Sequence, residues 1–204
     1  MLNCEESNFA VLVGDVASEL SYSHQVHGEN FYKMTVSSQR ISENKDEIIV
    51  TVSERLICDM ELEIGTRVKI VGQFRSYNNY SGEGSRLILT LFAREIHFTD
   101  YDCDNEICLN GYVCKPAVFR TTPFGREIAD ILLAVNRAYG KSDYIPCIAW
   151  GRNARFCENL PVGSNIKVWG RMQSRKYQKK LEDETTVEKT AYEVSVSKLE
   201  LITK

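Results

Sequence analysis

The sequence predicts an all-β protein built as two tandem five-stranded Greek-key barrels, each with a short helix between its third and fourth strands. Three observations carry that expectation. The segment NFAVLVGDV near the start returns as NEICLNGYV half a chain later with its glycine in the same place: Gly14 and Gly111 lie 97 positions apart, as do Arg40 and Arg137, and Asp46 and Asp143. Gly65 and Gly163, and Gly72 and Gly170, lie 98 apart, so one inserted residue separates two copies in tight register. Each copy is also a series of β-branched and aromatic runs broken by turn residues, with a single short stretch of helical spacing. Two units are too few for a solenoid, and each is long enough to fold as a small domain, residues 1–102 and 103–204.

In the first copy FAVLVGDV, NFYKMTVS and EIIVTVS read as strands from their β-branched content and partial alternation. ERLICDME reads as a short helix, and RVKIVGQFR and RLILTLFAREI as the last two strands. The second copy repeats the order with ICLNGYV, EIADILLAV, YIPCIAW, the helical ARFCENL, then NIKVWGRMQ and AYEVSVSKLELI. Five strands with a helix before the fourth is the arrangement of an OB-fold, a small barrel that binds oligonucleotides or oligosaccharides on one face. Glycines in its first strand (Gly14, Gly111) and fourth strand (Gly72, Gly170) suit the bends such a barrel needs.

Composition places the chain among ordinary globular proteins, with 43% hydrophobic and 26% charged residues. No apolar run approaches the ~18 residues that cross a bilayer, and the start MLNCEESN lacks the basic and apolar regions of a secretory signal, so a cytoplasmic protein without membrane association is expected. Seven cysteines, odd in number and scattered through strands, suggest reduced and buried thiols. The net charge of −3 hides an asymmetry: residues 1–102 hold 9 Lys and Arg against 16 Asp and Glu, whereas residues 103–204 hold 16 against 12. A polyanion should therefore be drawn to the second copy.

The segments NEICLNGYV, EIADILLAVNRAY, DYIPCIAWGRNARFCENLPVGSNIKVWGRMQSRKY and TAYEVSVSKLEL together resemble the bacterial single-stranded DNA-binding protein family. The resemblance covers almost all of residues 105–202, including a G-S-x-I-x-V-x-G strand followed by a basic hairpin. For residues 8–98 it rests on the internal repeat. It implies sequence-independent binding of single-stranded DNA, with RNA open as an alternative, by stacking bases on aromatic faces set in a basic groove. The family's stacking positions fall on Tyr139, Tyr144, Trp150 and Tyr177, with tyrosine at three of the places where tryptophan is usual. Trp150 ends an apolar strand and Tyr144 begins one, so each also has a core reading. Arg171, Arg175, Lys176, Lys179 and Lys180 on the fourth strand and hairpin, Arg137 and Lys141 beside Tyr139, and Arg152 with Arg155 beside Trp150 are the candidate phosphate contacts. A charge run is usually a solvated surface, but here Tyr177 is interleaved with it. The acidic LEDETTVEK that follows suggests an exposed, mobile hairpin tip.

Subtracting the repeat offset from the four stacking positions lands on Ser42, Glu47, Ser53 and Asn79, so the first copy has lost every ring. Tyr77 and Tyr80 flank Asn79, and Arg75 and Arg86 could reach phosphate, yet packing, assembly or a protein contact suits this copy better. The family gathers four barrels around one strand, a number that a homodimer of this chain would reach. The chain stops at KLELITK directly after its last strand, so no acidic C-terminal recruiting tail is expected. His24 and His27 fall in a supposed loop without a zinc-spaced companion set, Cys103, Cys108 and Cys114 form no CxxC pair, and no phosphate-cradling or nucleophile motif occurs. The expectation is a binding protein, not an enzyme, with no metal and no cofactor. A tandem OB-fold protein–protein adaptor in a replication or primosome-like assembly is the alternative, because OB-folds serve both roles. An oligosaccharide-binding barrel would explain the aromatics but not the cations.

Overall fold

A computed structural model describes residues 6–79, 87–180 and 185–202, side chains 179 and 180 excepted. The first half forms β1 (Asn8–Val16), β2 (Ser21–Val26), β3 (Glu29–Gln39), β4 (Lys45–Ser53), α1 (Glu54–Ile57), β5 (Arg67–Asn78) and β6 (Leu87–Phe98). The second repeats the order as β7 (Asp104–Val113), β8 (Val118–Thr121), β9 (Glu127–Arg137), β10 (Lys141–Trp150), α2 (Arg152–Glu158), β11 (Asn165–Lys180) and β12 (Thr186–Leu201).

In each half five strands close on themselves. β1 pairs with β5 along one edge and with β3 at its end, β3 pairs with β4, β4 with β6 in parallel, and β6 with β5. β7, β9, β10, β12 and β11 close the second barrel by the same pairings. Strict alternation in β5 sends Val68, Ile70 and Phe74 inward to meet Leu12, Val36, Val50 and Leu91, while Ile166, Val168 and Met172 of β11 meet Leu109, Leu133, Ile145 and Val194. The repeated glycines stand where backbones cross: a Cβ on Gly72 or Gly170 would run into the carbonyl oxygen of Phe92 or Ser195, at the one-residue register shift of each β5–β6 and β11–β12 ribbon.

Two strands, β2 and β8, were not expected. Both lie at the edge of the sheet, on β3 and β9 respectively, and both are largely exposed. His24 consequently sits in a strand, its ring parallel to Phe31, and only His27 and Gly28 form the turn, both with positive φ. The first helix covers four residues, capped by the Ser53 hydroxyl, which accepts from the Arg55 N–H. Cys147 and Cys157 are buried free thiols, but Cys108 is disulfide-bonded, contrary to the expectation of reduced cysteines throughout.

The two barrels share one twelve-stranded sheet because β1 also pairs antiparallel with β7. Ala10 and Ile107, which are repeat equivalents, are direct partners, and the pairs Asn8–Leu109 and Leu12–Asn105 exchange under the repeat, so the junction has a local twofold axis. The Asn8 side-chain amide exchanges two hydrogen bonds with the Phe74 backbone, and Asn105 does the same with Met172. The β5–β6 and β11–β12 hairpins each cross onto the other barrel. The stem of the β11–β12 hairpin docks on β4 through Ser174, and the tip in the acidic LEDETTVEK segment, expected to be exposed and mobile, lies outside the described residues.

Candidate nucleic-acid interface

Pairing register sorts the side chains of the second barrel into a core face and an outer face. On β10, Ile145, Cys147 and Ala149 point inward, which leaves Tyr144, Pro146, Ile148 and Trp150 outward. Ile148 is opposite Ser195 on β12, and Ser195 is opposite Arg171 on β11. Alternation then carries Gln173, Arg175 and Tyr177 onto the same outer face. Tyr144, Trp150, Arg171, Arg175 and Tyr177 are thus brought together on one surface. Trp150 is 37% exposed and its Nε1 donates to Ser195 Oγ at 3.2 Å, which fixes the ring while leaving a face to solvent. The core reading of Trp150 is therefore incorrect. Tyr144 keeps an exposed ring although its backbone N–H donates to Ser76 Oγ in the first barrel. Tyr177 lies 5.8 Å from the Arg175 guanidinium and borders a crevice with Pro146 and Ile49.

Other expected site residues are placed differently. Tyr139 is 98% exposed, but with φ of 62° beside Gly140 it tips the β9–β10 turn and stands off the sheet. Lys141 opens β10 at that turn and Arg152 opens α2, both exposed. Lys176 points to the opposite side of the hairpin from Arg175 and pairs with Glu188. Arg137 is taken up by the inter-barrel joint, with Asp143 at 3.4 Å and the Tyr77 ring at 5.9 Å. The side chains of Lys179 and Lys180 lie outside the described residues, as do Tyr80 and Arg86. In the first barrel Arg75 does not reach outward to phosphate: it stacks on Phe92 at 3.7 Å, and desolvation holds its guanidinium below the usual arginine range.

At the junction the outer face runs into a groove of about 850 Å³ lined by Arg40, Arg126, Trp150, Arg171 and Arg175, with Glu106 the one acid among the described residues that line it. Arg40 and Arg126 were not anticipated. Arg40 belongs to the first barrel, and its repeat with Arg137 was the available signal, read only as register. Arg40 donates to Asp46, which raises its pKa further, and Arg171 Nε approaches the same carboxylate at 3.5 Å. Two guanidinium groups on one carboxylate leave the groove wall positive. Among the described residues no group of three His, Cys, Asp or Glu side chains could hold a metal, and no helix is long and apolar enough to cross a membrane.

Residues 104–202 match the model of the single-strand binding protein family. The chain belongs to this family through its second half. The match is supported by 38% identity over 81 residues with single-stranded DNA-binding protein 1 of Staphylococcus aureus (strain COL), covering 36% of this chain and 48% of that protein. Single-stranded DNA-binding protein A of Bacillus subtilis (strain 168) is 37% identical over 81 residues, covering 36% and 47%. The chain spans about half the length of these curated relatives. The wild-type single-stranded DNA binding protein from Thermus aquaticus superposes with a TM-score of 0.76 at 18% identity, covering 97% of this chain and 93% of that one. At that identity the likeness establishes the tandem fold alone, and it extends across both halves of this family member.

Proposed function

We propose that this protein binds single-stranded DNA without sequence preference, on the outer face of its second barrel and in the adjoining groove, serving replication, recombination or repair in the cytoplasm. The observation that carries the reading is the convergence of exposed Tyr144, Trp150 and Tyr177 with Arg171 and Arg175 on one surface. Bases stack on the rings, each contributing ~1–3 kcal/mol, while the guanidinium groups neutralise phosphates and release counterions. Neither step makes or breaks a covalent bond, so no catalytic role is assigned. Arg40 makes the groove a joint product of the two barrels, which extends the binding region past the boundary at residue 102. Two chains pairing as a homodimer would supply four barrels, and a sedimenting mass near twice 23.3 kDa is the expected result.

Titration with oligo-dT over a series of salt concentrations tests the reading. Intrinsic tryptophan fluorescence should be quenched, and the logarithm of the affinity should fall against the logarithm of salt by ~0.7 per phosphate contact. An adaptor that binds only protein would show no salt-sensitive quenching.

A further inference from the structure

The outer face of the first barrel carries a slot that comparison with the second copy does not reveal. His24 lies parallel to Phe31 at 5.0 Å between centroids, and Phe31 leans on Phe92 at 5.7 Å. His24 and Tyr77 then line a slot of about 380 Å³ together with Ser23, Lys33 and Ile88. The buried hydroxyls of Thr51 and Thr90, hydrogen-bonded at 3.1 Å, complete the lining. Two rings, an ammonium and a hydroxyl pair around a cavity of this size suit a flat heteroaromatic ring attached to an anion.

The equivalent place on the second barrel is built from different side chains. Lys33 is opposite Thr51 and Asp130 is opposite Ile148, so repeat register makes Lys33 and Asp130 counterparts. Thr90 is opposite Arg75 and Glu193 opposite Gln173, so Thr90 and Glu193 are counterparts too. The second barrel thus has a carboxylate at both positions, Asp130 held by Arg120 and Glu193 by Gln173 and Arg175. Four acids of the first copy, Glu54, Asp59, Glu61 and Glu63, fall in α1 and the connection after it, and among the described residues no acid lines the slot.

We infer that the slot holds one nucleobase of a single strand between His24 and Tyr77, with Lys33 on a neighbouring phosphate. The inference rests on the proposed single-strand binding, and it gives the first barrel a contact of its own, built from residues other than those that stack in the second. Rings and Arg guanidinium planes are both sequence-tolerant platforms for bases. The Thr51–Thr90 pair retains one hydroxyl hydrogen to offer a base edge.

The test uses the full chain and oligo-dT carrying photoreactive 5-iodouracil. Irradiation should attach the oligonucleotide to a peptide containing His24 or Tyr77. For oligo-dT long enough to span both barrels, Tyr77→Ala should weaken affinity about 5- to 150-fold. Lys33→Glu should also weaken binding, whereas Tyr77→Phe should keep most of it. If the parent chain binds but neither peptide is labelled and Lys33→Glu titrates like the parent, the slot assignment is wrong and the main proposal survives. A parent chain that binds no oligo-dT at all defeats the main proposal, and this one with it.

Discussion

Asp46 and Asp143, 97 positions apart, do the same work on opposite barrels: each is almost wholly buried and accepts the backbone N–H of a serine in the other barrel's hairpin. Asp46 Oδ1 accepts from Ser174 at 3.0 Å, and Asp143 Oδ1 accepts from Ser76 at 2.9 Å. Each serine hydroxyl in turn accepts the N–H of the residue after the aspartate, Glu47 or Tyr144. An arginine one strand back, Arg40 or Arg137, completes the charge balance.

Removing either carboxylate should therefore destabilise the whole molecule. Asp46→Ala or Asp143→Ala leaves a buried N–H unpaired and an arginine partly buried without its partner, a loss of about 3 kcal/mol in each case. Denaturant unfolding measures it. The backbone half of each clamp is equivalent, but Asp46 also holds a second guanidinium, Arg171, so Asp46→Ala should shift the midpoint at least as far as Asp143→Ala, and a clearly smaller shift would contradict this arrangement.

A second expectation concerns Gly72 and Gly170. Their space is closed by the carbonyl oxygens of Phe92 and Ser195, backbone atoms that cannot swing aside as a side chain would. Ala at either position should cost ~1–3 kcal/mol or more by forcing the paired strands apart. At Gly125 an added methyl would meet no heavy atom within 4 Å, but φ is +75°, so Ala there should cost about 1 kcal/mol through backbone strain alone. Thermal melts of the three variants distinguish crowding from strain.

These glycines also explain how far the sequence could be read. The constant spacing of Gly14 and Gly111, and of Gly72 and Gly170, marked the two copies, because close backbone crossings disfavour a Cβ, while β-branched and aromatic runs marked the five barrel strands of each. β2 escaped notice because SYSHQV, exposed at most positions, has no apolar face and so no alternation to detect. Arg137 was assigned to phosphate because a single copy's sequence does not show that its acid partner works at an inter-barrel joint. The separation of Arg175 from Lys176 could have been read, since neighbours on a strand point to opposite faces, yet both were assigned to phosphate. The His24–Tyr77 slot was not: subtracting the repeat offset tests only equivalent positions, and here the rings had moved to β2 and β5.

Thiol chemistry gives a third expectation. Cys58 is exposed, whereas Cys147 and Cys157 are buried, and desolvation pushes Cys157 up to about 11 and Cys147 higher still. Raised values keep both protonated, and so unreactive, at neutral and mildly alkaline pH. Brief alkylation of the native protein should mark Cys58 and spare Cys147 and Cys157 until denaturant is added. Mass spectrometry of the digested protein locates the labels, and early labelling of Cys157 would show that the second barrel opens readily around α2.

The last expectation separates the two sides of the long hairpin. Arg175 shares the outer face with Trp150, pairs with Glu193 there and borders the junction groove, whereas Lys176 faces the other way and contacts Glu188. If the strand follows the aromatic face, Arg175→Ala should lower affinity for oligo-dT and flatten the salt dependence by ~0.7, the share of one phosphate. Lys176→Ala should change both much less. Trp150→Ala should act in a third way, weakening binding by ~1–3 kcal/mol with the salt slope unchanged, because a stacked ring releases no counterions. Equal losses for Arg175→Ala and Lys176→Ala would mean that nucleic acid wraps the hairpin on both sides, and the outer face would then no longer define the path.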